Sequence, residues 1–118
     1  MITNLLIGIV AALHIYFLIL EMFLWDKPRG LRIFGNTLEF AKSSKVLAMN
    51  QGLYNGFLAA GLIWGLYLGE AGKPITLFFL SCIVIAGIFG GLTASRKILF
   101  VQALPAAITL ILDVFSGL

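Results

Sequence analysis

Residues 3–25 read TNLLIGIVAALHIYFLILEMFLW, a run in which only His14 and Glu21 can carry charge. A helix rises about 1.5 Å per residue and the hydrocarbon core of a bilayer is about 30 Å thick, so about 20 mainly apolar residues cross it. The run therefore predicts a transmembrane helix. No Lys or Arg precedes it and no small-residue cleavage pattern follows it, which separates it from a secretory signal peptide. Three further segments have the same character, at 46–69, 74–95 and 98–116. The first two are free of formal charge, and the last carries Asp113 near its end. The runs are continuous and lack the short alternating segments of a membrane barrel. The expected fold is an all-α membrane protein, a four-transmembrane-helix bundle forming a single integral membrane domain over residues 1–118.

Composition supports this assignment. The 118 residues are 61% hydrophobic and 11% charged, with a mean hydropathy of +1.08. A soluble domain carries about a quarter charged residues, and a globule this small could not hide so much apolar surface. A soluble enzyme, a secreted disulfide scaffold, a disordered chain and a nucleic-acid binder are all excluded. The net charge of +3 is not a phosphate-binding signal, because the basic residues sit in short gaps between apolar runs. The single cysteine, Cys82, has no partner for an internal disulfide and reads as a small buried packing residue.

Those gaps set the topology. Lys27, Arg29, Arg32, Lys42, Lys45, Arg96 and Lys97 fall in the first and third connections, against Lys73 alone in the second. The bias predicts both termini outside and the long first loop in the cytoplasm. Within that loop, Asp-Lys-Pro-Arg-Gly at 26–30 reads as a turn. Beyond it, Leu31, Phe34, Leu38 and Ala41 recur near helical spacing among basic residues. Asn36 with Glu39 resembles a capping box, so a short helix is expected from about Thr37. Two readings of this loop stand side by side, an amphipathic segment at the membrane surface and an ordinary connection.

Helices in lipid associate through close contacts of small residues. Gly52, Gly56, Gly61 and Gly65 on the second run, and Gly87 and Gly91 on the third, are the expected packing positions. A homodimer or a membrane-protein partner is one use for such surfaces.

Ionisable groups inside a bilayer are costly, so they are the first place to seek function. His14 and Glu21 are seven residues apart, which puts them about 20° apart on one helix face, with Trp25 following. Glu21 lies roughly 7 Å from Asp26 and Lys27, Gln51 about 9 Å in from Lys45, and Gln102 about 8 Å in from Lys97, at the same rise. Asn50 and Asn55 flank Gln51, with Asn55 and His14 deeper. Glu21, His14, Asn50, Gln51, Asn55 and Gln102 are therefore the candidate ligand- or proton-binding residues, forming one polar pocket if their faces converge. Gln102, Thr109 and Asp113 share one face of the last run, and Asp113 is expected in a solvated or capping role. Pro105 removes a backbone donor and predicts a break beside Gln102.

No nucleotide, zinc-protease, hydrolase or CxxC motif is present. No catalytic residue, metal site or cofactor is predicted.

The stretches HIYFLILEMFLW at 14–25, NQGLYNGFLAAGL at 50–62, AGIFGGLT at 86–93 and QALP at 102–105 resemble the small bacterial four-helix membrane proteins grouped as domain of unknown function thirteen-oh-four. The resemblance covers nearly the whole chain. It implies a multi-pass inner-membrane protein and carries no residue roles. Three functions stay open. One is a small transporter or binder of a lipophilic or cationic ligand, with Glu21 as counter-charge. The second is a structural or interaction subunit of a membrane complex. The third is a membrane enzyme or quinone-linked redox accessory using His14 and Glu21.

Overall fold

The apolar run that begins the chain coils into α1, Ile2–Met22, in the computed structural model, which describes residues 1–116. α2 (Pro28–Phe34) and α3 (Leu38–Ser43) follow, then α4 (Lys45–Tyr67), a 3₁₀ turn (Gly69–Gly72) and α5 (Lys73–Thr93). The last helix, α6, runs over Arg96–Phe115. The described residues contain no strand.

Three of these segments are long and apolar enough to cross a membrane: Ile2–Met22, Gly69–Thr93 and Arg96–Phe115, of 21, 25 and 20 residues. The fourth expected span, α4, forms as a 23-residue helix but is less apolar, because Asn50, Gln51 and Asn55 lie within it. All-helical architecture with three such helices is what the structure establishes.

Contacts divide the chain into two compact units, residues 12–59 and residues 1–11 with 60–118. In the first unit, α1 stops at Met22 and the chain turns over 23–27. Trp25 therefore lies beyond α1 and not on the Glu21 face, and its indole Nε1 donates to Ser44 Oγ at 3.0 Å. Pro28, expected in a turn, opens α2 instead, since its missing N–H is no loss in the first helical turn. α2 ends at Gly35, whose φ of 68° suits glycine, and the N–H groups of Gly35 and Asn36 both donate to the Leu31 carbonyl. α3 is capped by Thr37, whose hydroxyl accepts from Phe40 N–H at 3.1 Å. The cap is thus one residue later than the expected Asn36. Arg29 Nε donates to the Tyr16 hydroxyl at 3.2 Å, and its guanidinium lies 5.9 Å from that ring's centre.

The Lys45 ammonium donates to Asp26 Oδ2 at 3.3 Å. This hydrogen bond holds the Asp26 carboxyl below the usual carboxylate range. The stabilisation is fully present above the unfolded value of about 3.9 and is lost as pH falls through the lower folded value. The Asp26 carboxyl carbon, followed by NMR, should titrate at lower pH in the native protein than in Lys45→Gln. Equal midpoints would remove the pair from the acid response.

In the second unit, contacts between α5 and α6 form an antiparallel hairpin about Ser95. A Cβ built on Gly91 would lie 2.2 Å from Leu99 Cγ, and one on Gly87 would lie 2.7 Å from Ala103 N. α4 meets α5 in the same way, with Phe79 over Gly61 and Thr76 over Gly65. Leu62, Leu80, Ile83 and Ala106 are fully buried. The break predicted by Pro105 takes the form of a π-turn over Leu99–Ala103, in which Leu104 N–H donates to Leu99 O, five residues back. The wider turn absorbs the ladder position that proline cannot fill. Cys82 is half-buried and not part of the sealed core.

Candidate functional site

Glu21 is positioned by the two glycines of α4 nearest to it. A Cβ on Gly52 would fall 2.6 Å from Met22 Cγ and 3.1 Å from Glu21 Cβ, and one on Gly56 would fall 2.7 Å from Leu18 Cδ1. With no side chains at these positions, α4 lies close against α1. Asn55, beside Gly56, is 5% exposed, and its Nδ2 donates to Glu21 Oε1 at 2.5 Å. Glu21 itself is half-buried. Among the described residues this amide is its one hydrogen-bond partner, and no cation stands within ion-pair distance.

The other sequence candidates fall in different places. His14 is 1% exposed, two turns before Glu21 on α1, with its ring edge-on to Phe17 at 5.2 Å. Asn50 is exposed, and its amide turns back to donate to the Val46 carbonyl of its own helix at 2.9 Å. Gln51 is also exposed. Gln102 is half-buried within the π-turn of α6, in the second unit. The structure thus joins Glu21 to Asn55, and Asn50 does not enter that pair.

A second polar constellation lies outside the predicted set. Asp113 is 4% exposed rather than solvated. Its Oδ2 accepts from the buried Thr76 hydroxyl at 2.7 Å. The same hydroxyl lies 3.0 Å from the Lys73 carbonyl, and its single proton can serve only one acceptor at a time. The Lys73 ammonium donates to the Ser116 carbonyl and makes no ion pair with Asp113. Thr3, Asn4, Glu70, Lys73, Thr76 and Asp113 line a cavity of about 630 Å³, which Ile7 and Leu66 close on the apolar side. A sequence signal for this pairing exists. Thr76 lies nineteen residues before Ser95 and Asp113 eighteen after it, so an antiparallel hairpin centred there sets them at one level.

No group of three or more His, Cys, Asp or Glu residues suited to a metal ion occurs among the described residues.

A family model described as "Protein of unknown function (DUF1304)" matches residues 8–114. The uncharacterised protein YpaA of Lactococcus lactis subsp. lactis (strain IL1403) is 32% identical over 117 residues, spanning 97% of this chain and 98% of that protein. No solved structure matches the chain. The family match takes in the helix pair that carries Glu21 and Asn55 as well as the hairpin that carries Thr76 and Asp113, and the chain belongs to the DUF1304 family.

Proposed function

We propose that the chain is a multi-pass protein of the inner membrane, with four spans and both termini outside, that binds a small lipophilic or cationic ligand at Glu21. Large apolar side chains point outward along the helices, among them Phe78, Ile85, Phe89 and Leu92 on α5, exposed by 62, 67, 68 and 77%. Such a surface suits lipid and not water. α4 serves as the fourth span at about 34 Å, from its length and the helical rise. Its carboxamides are in part already satisfied, Asn55 by Glu21 and Asn50 by the Val46 carbonyl, which lowers their cost in a bilayer.

The observation that carries the ligand reading is the Glu21 carboxylate, held by one neutral amide and by no cation. If packing were its only role, Gln or Asn would supply the same hydrogen bond without the penalty of a charge in lipid. A cationic ligand compensates that charge and competes with a proton for the same oxygen atoms.

The test is the thermal shift that tetraphenylphosphonium induces in purified protein at pH 5 and pH 8. The native chain should be stabilised more at pH 8, and Glu21→Gln should abolish the difference. A native chain that shows no shift at either pH, together with one stoichiometric membrane protein co-purifying, would replace this reading with that of an interaction subunit.

A further inference from the structure

The cavity of the second unit contains a carboxylate that its surroundings leave under-compensated. Asp113 is 4% exposed, and its one hydrogen-bond donor among the described residues is the Thr76 hydroxyl. That hydroxyl also has the Lys73 carbonyl within reach. A neutral donor shared between two acceptors is weak compensation for a buried charge, which normally pairs with a cation or several donors. Lys73, on the wall of the same cavity, directs one of its N–H groups to the Ser116 carbonyl. An ammonium has three donors, so two of them have no protein acceptor among the described residues. The cavity volume of about 630 Å³ falls in the range of small-molecule sites, where a few convergent polar groups in an otherwise apolar wall fix a ligand's orientation.

From this geometry we infer that the cavity walled by Thr3, Asn4, Lys73, Thr76 and Asp113 binds an ammonium-bearing zwitterion, its ammonium on Asp113 and its anionic group on Lys73. The ammonium supplies charge-assisted donors in place of the water that burial removed from the carboxylate. Thr3 and Asn4 supply further neutral hydrogen-bonding groups on the wall. Glu70 also lines the cavity and adds a second carboxylate to its wall, and Met1 lines it as well. Both a free amino acid and a phosphoethanolamine lipid headgroup have this chemistry. The site lies wholly within residues 1–11 and 60–118 and does not depend on the Glu21 reading.

The experiment uses the full-length protein in nanodiscs made only of phosphatidylglycerol, titrated calorimetrically with β-alanine, phosphoethanolamine, ethanolamine and inorganic phosphate. The two zwitterions should bind saturably, ethanolamine at least tenfold more weakly and phosphate not at all. Asp113→Asn should weaken the zwitterions at least tenfold, and Lys73→Gln should reduce them to the level of ethanolamine. Should Asp113→Asn fail to fold, the comparison of Lys73→Gln with the native chain is decisive by itself. A second arm adds phosphatidylethanolamine to the discs and reads retained lipid by native mass spectrometry. Retention by the native chain and loss in Lys73→Gln identifies the headgroup as the occupant, whereas β-alanine binding without lipid retention identifies a free ligand. Folded native protein that neither binds a zwitterion nor retains the lipid, or that does so no better than both variants, overturns the inference.

Discussion

Gly72→Ala should destabilise the protein by about 3 kcal/mol, at the upper end for overpacked sites. A methyl group at Gly72 would sit 1.9 Å from the Gly65 carbonyl oxygen, 2.7 Å from its carbon and 2.9 Å from its Cα. These are backbone atoms, and no rotamer change moves them aside. Relief requires either the 3₁₀ turn Gly69–Gly72 to shift or α4 and α5 to separate where Thr76 packs on Gly65. The control is Gly8→Ala, where a Cβ would meet nothing within 4 Å. That change should be neutral or stabilise by about 0.5–1 kcal/mol, the usual gain from replacing a helical glycine. Unfolding of both variants in mixed micelles gives the comparison, and equal midpoints would show that the contact yields without cost.

The second large effect concerns Asn55→Leu, which should destabilise by about 1–3 kcal/mol, the cost of leaving a buried polar group without its partner. The side chain is 5% exposed and its amide donates to Glu21, so leucine fills similar space while orphaning the carboxylate. The double variant Glu21→Leu/Asn55→Leu should recover most of that loss, because removing both partners leaves nothing unsatisfied. The coupling energy of the cycle, read from unfolding in the same micelles, measures the pair. If the losses simply add, Asn55 is not what holds Glu21 in place.

Much of this architecture is written in the lengths of the apolar runs. The bounds expected for α4, α5 and α6 fall within about two residues of those observed, as helix ends usually do. α1 ends earlier than its apolar run, whose last residue, Trp25, is apolar for a reason other than spanning. Trp25 lies against Phe34, with ring centres 4.8 Å apart and planes tilted by 49°, and donates to Ser44, contacts that exist only once α2 and α3 have folded beneath it. The first loop departs from its expected turn at Pro28 and Gly30, because the same residue types serve a turn and a helix start. Gly30 is glycine because a Cβ there would lie 1.9 Å from the Leu24 carbonyl oxygen, a tertiary reason with no local signature. At the candidate site, depth and polarity place Glu21 and Asn55 in one set with His14, Asn50, Gln51 and Gln102, and the structure adds the hydrogen bond between the first two. Depth and polarity do not reveal the exposure of Asn50 and Gln51, since facing direction depends on which side of α4 its glycines draw toward α1. Asp113 defies the expectation of a solvated group because proximity to the chain end suggests solvent, whereas its partner Thr76 lies 37 positions away.

The π-turn of α6 resets the helix's angular phase. A wheel drawn uniformly through Arg96–Phe115 puts Gln102, Thr109 and Asp113 on one stripe, but the turn inserts an extra residue into the winding between the first and the other two. At the two ends of the turn, Leu99 fits against Gly91 and Ala103 against Gly87, and downstream Thr109 and Asp113 are 2% and 4% exposed. The residues before and after the turn thus follow different angular phases. Gain or loss of a single residue inside this turn re-aims Ala103, Thr109 and Asp113 together and leaves in place only the contacts that precede it, Ile98 on Gly90 and Leu99 on Gly91. The length of Leu99–Ala103 therefore acts as a dial on where the buried carboxylate points.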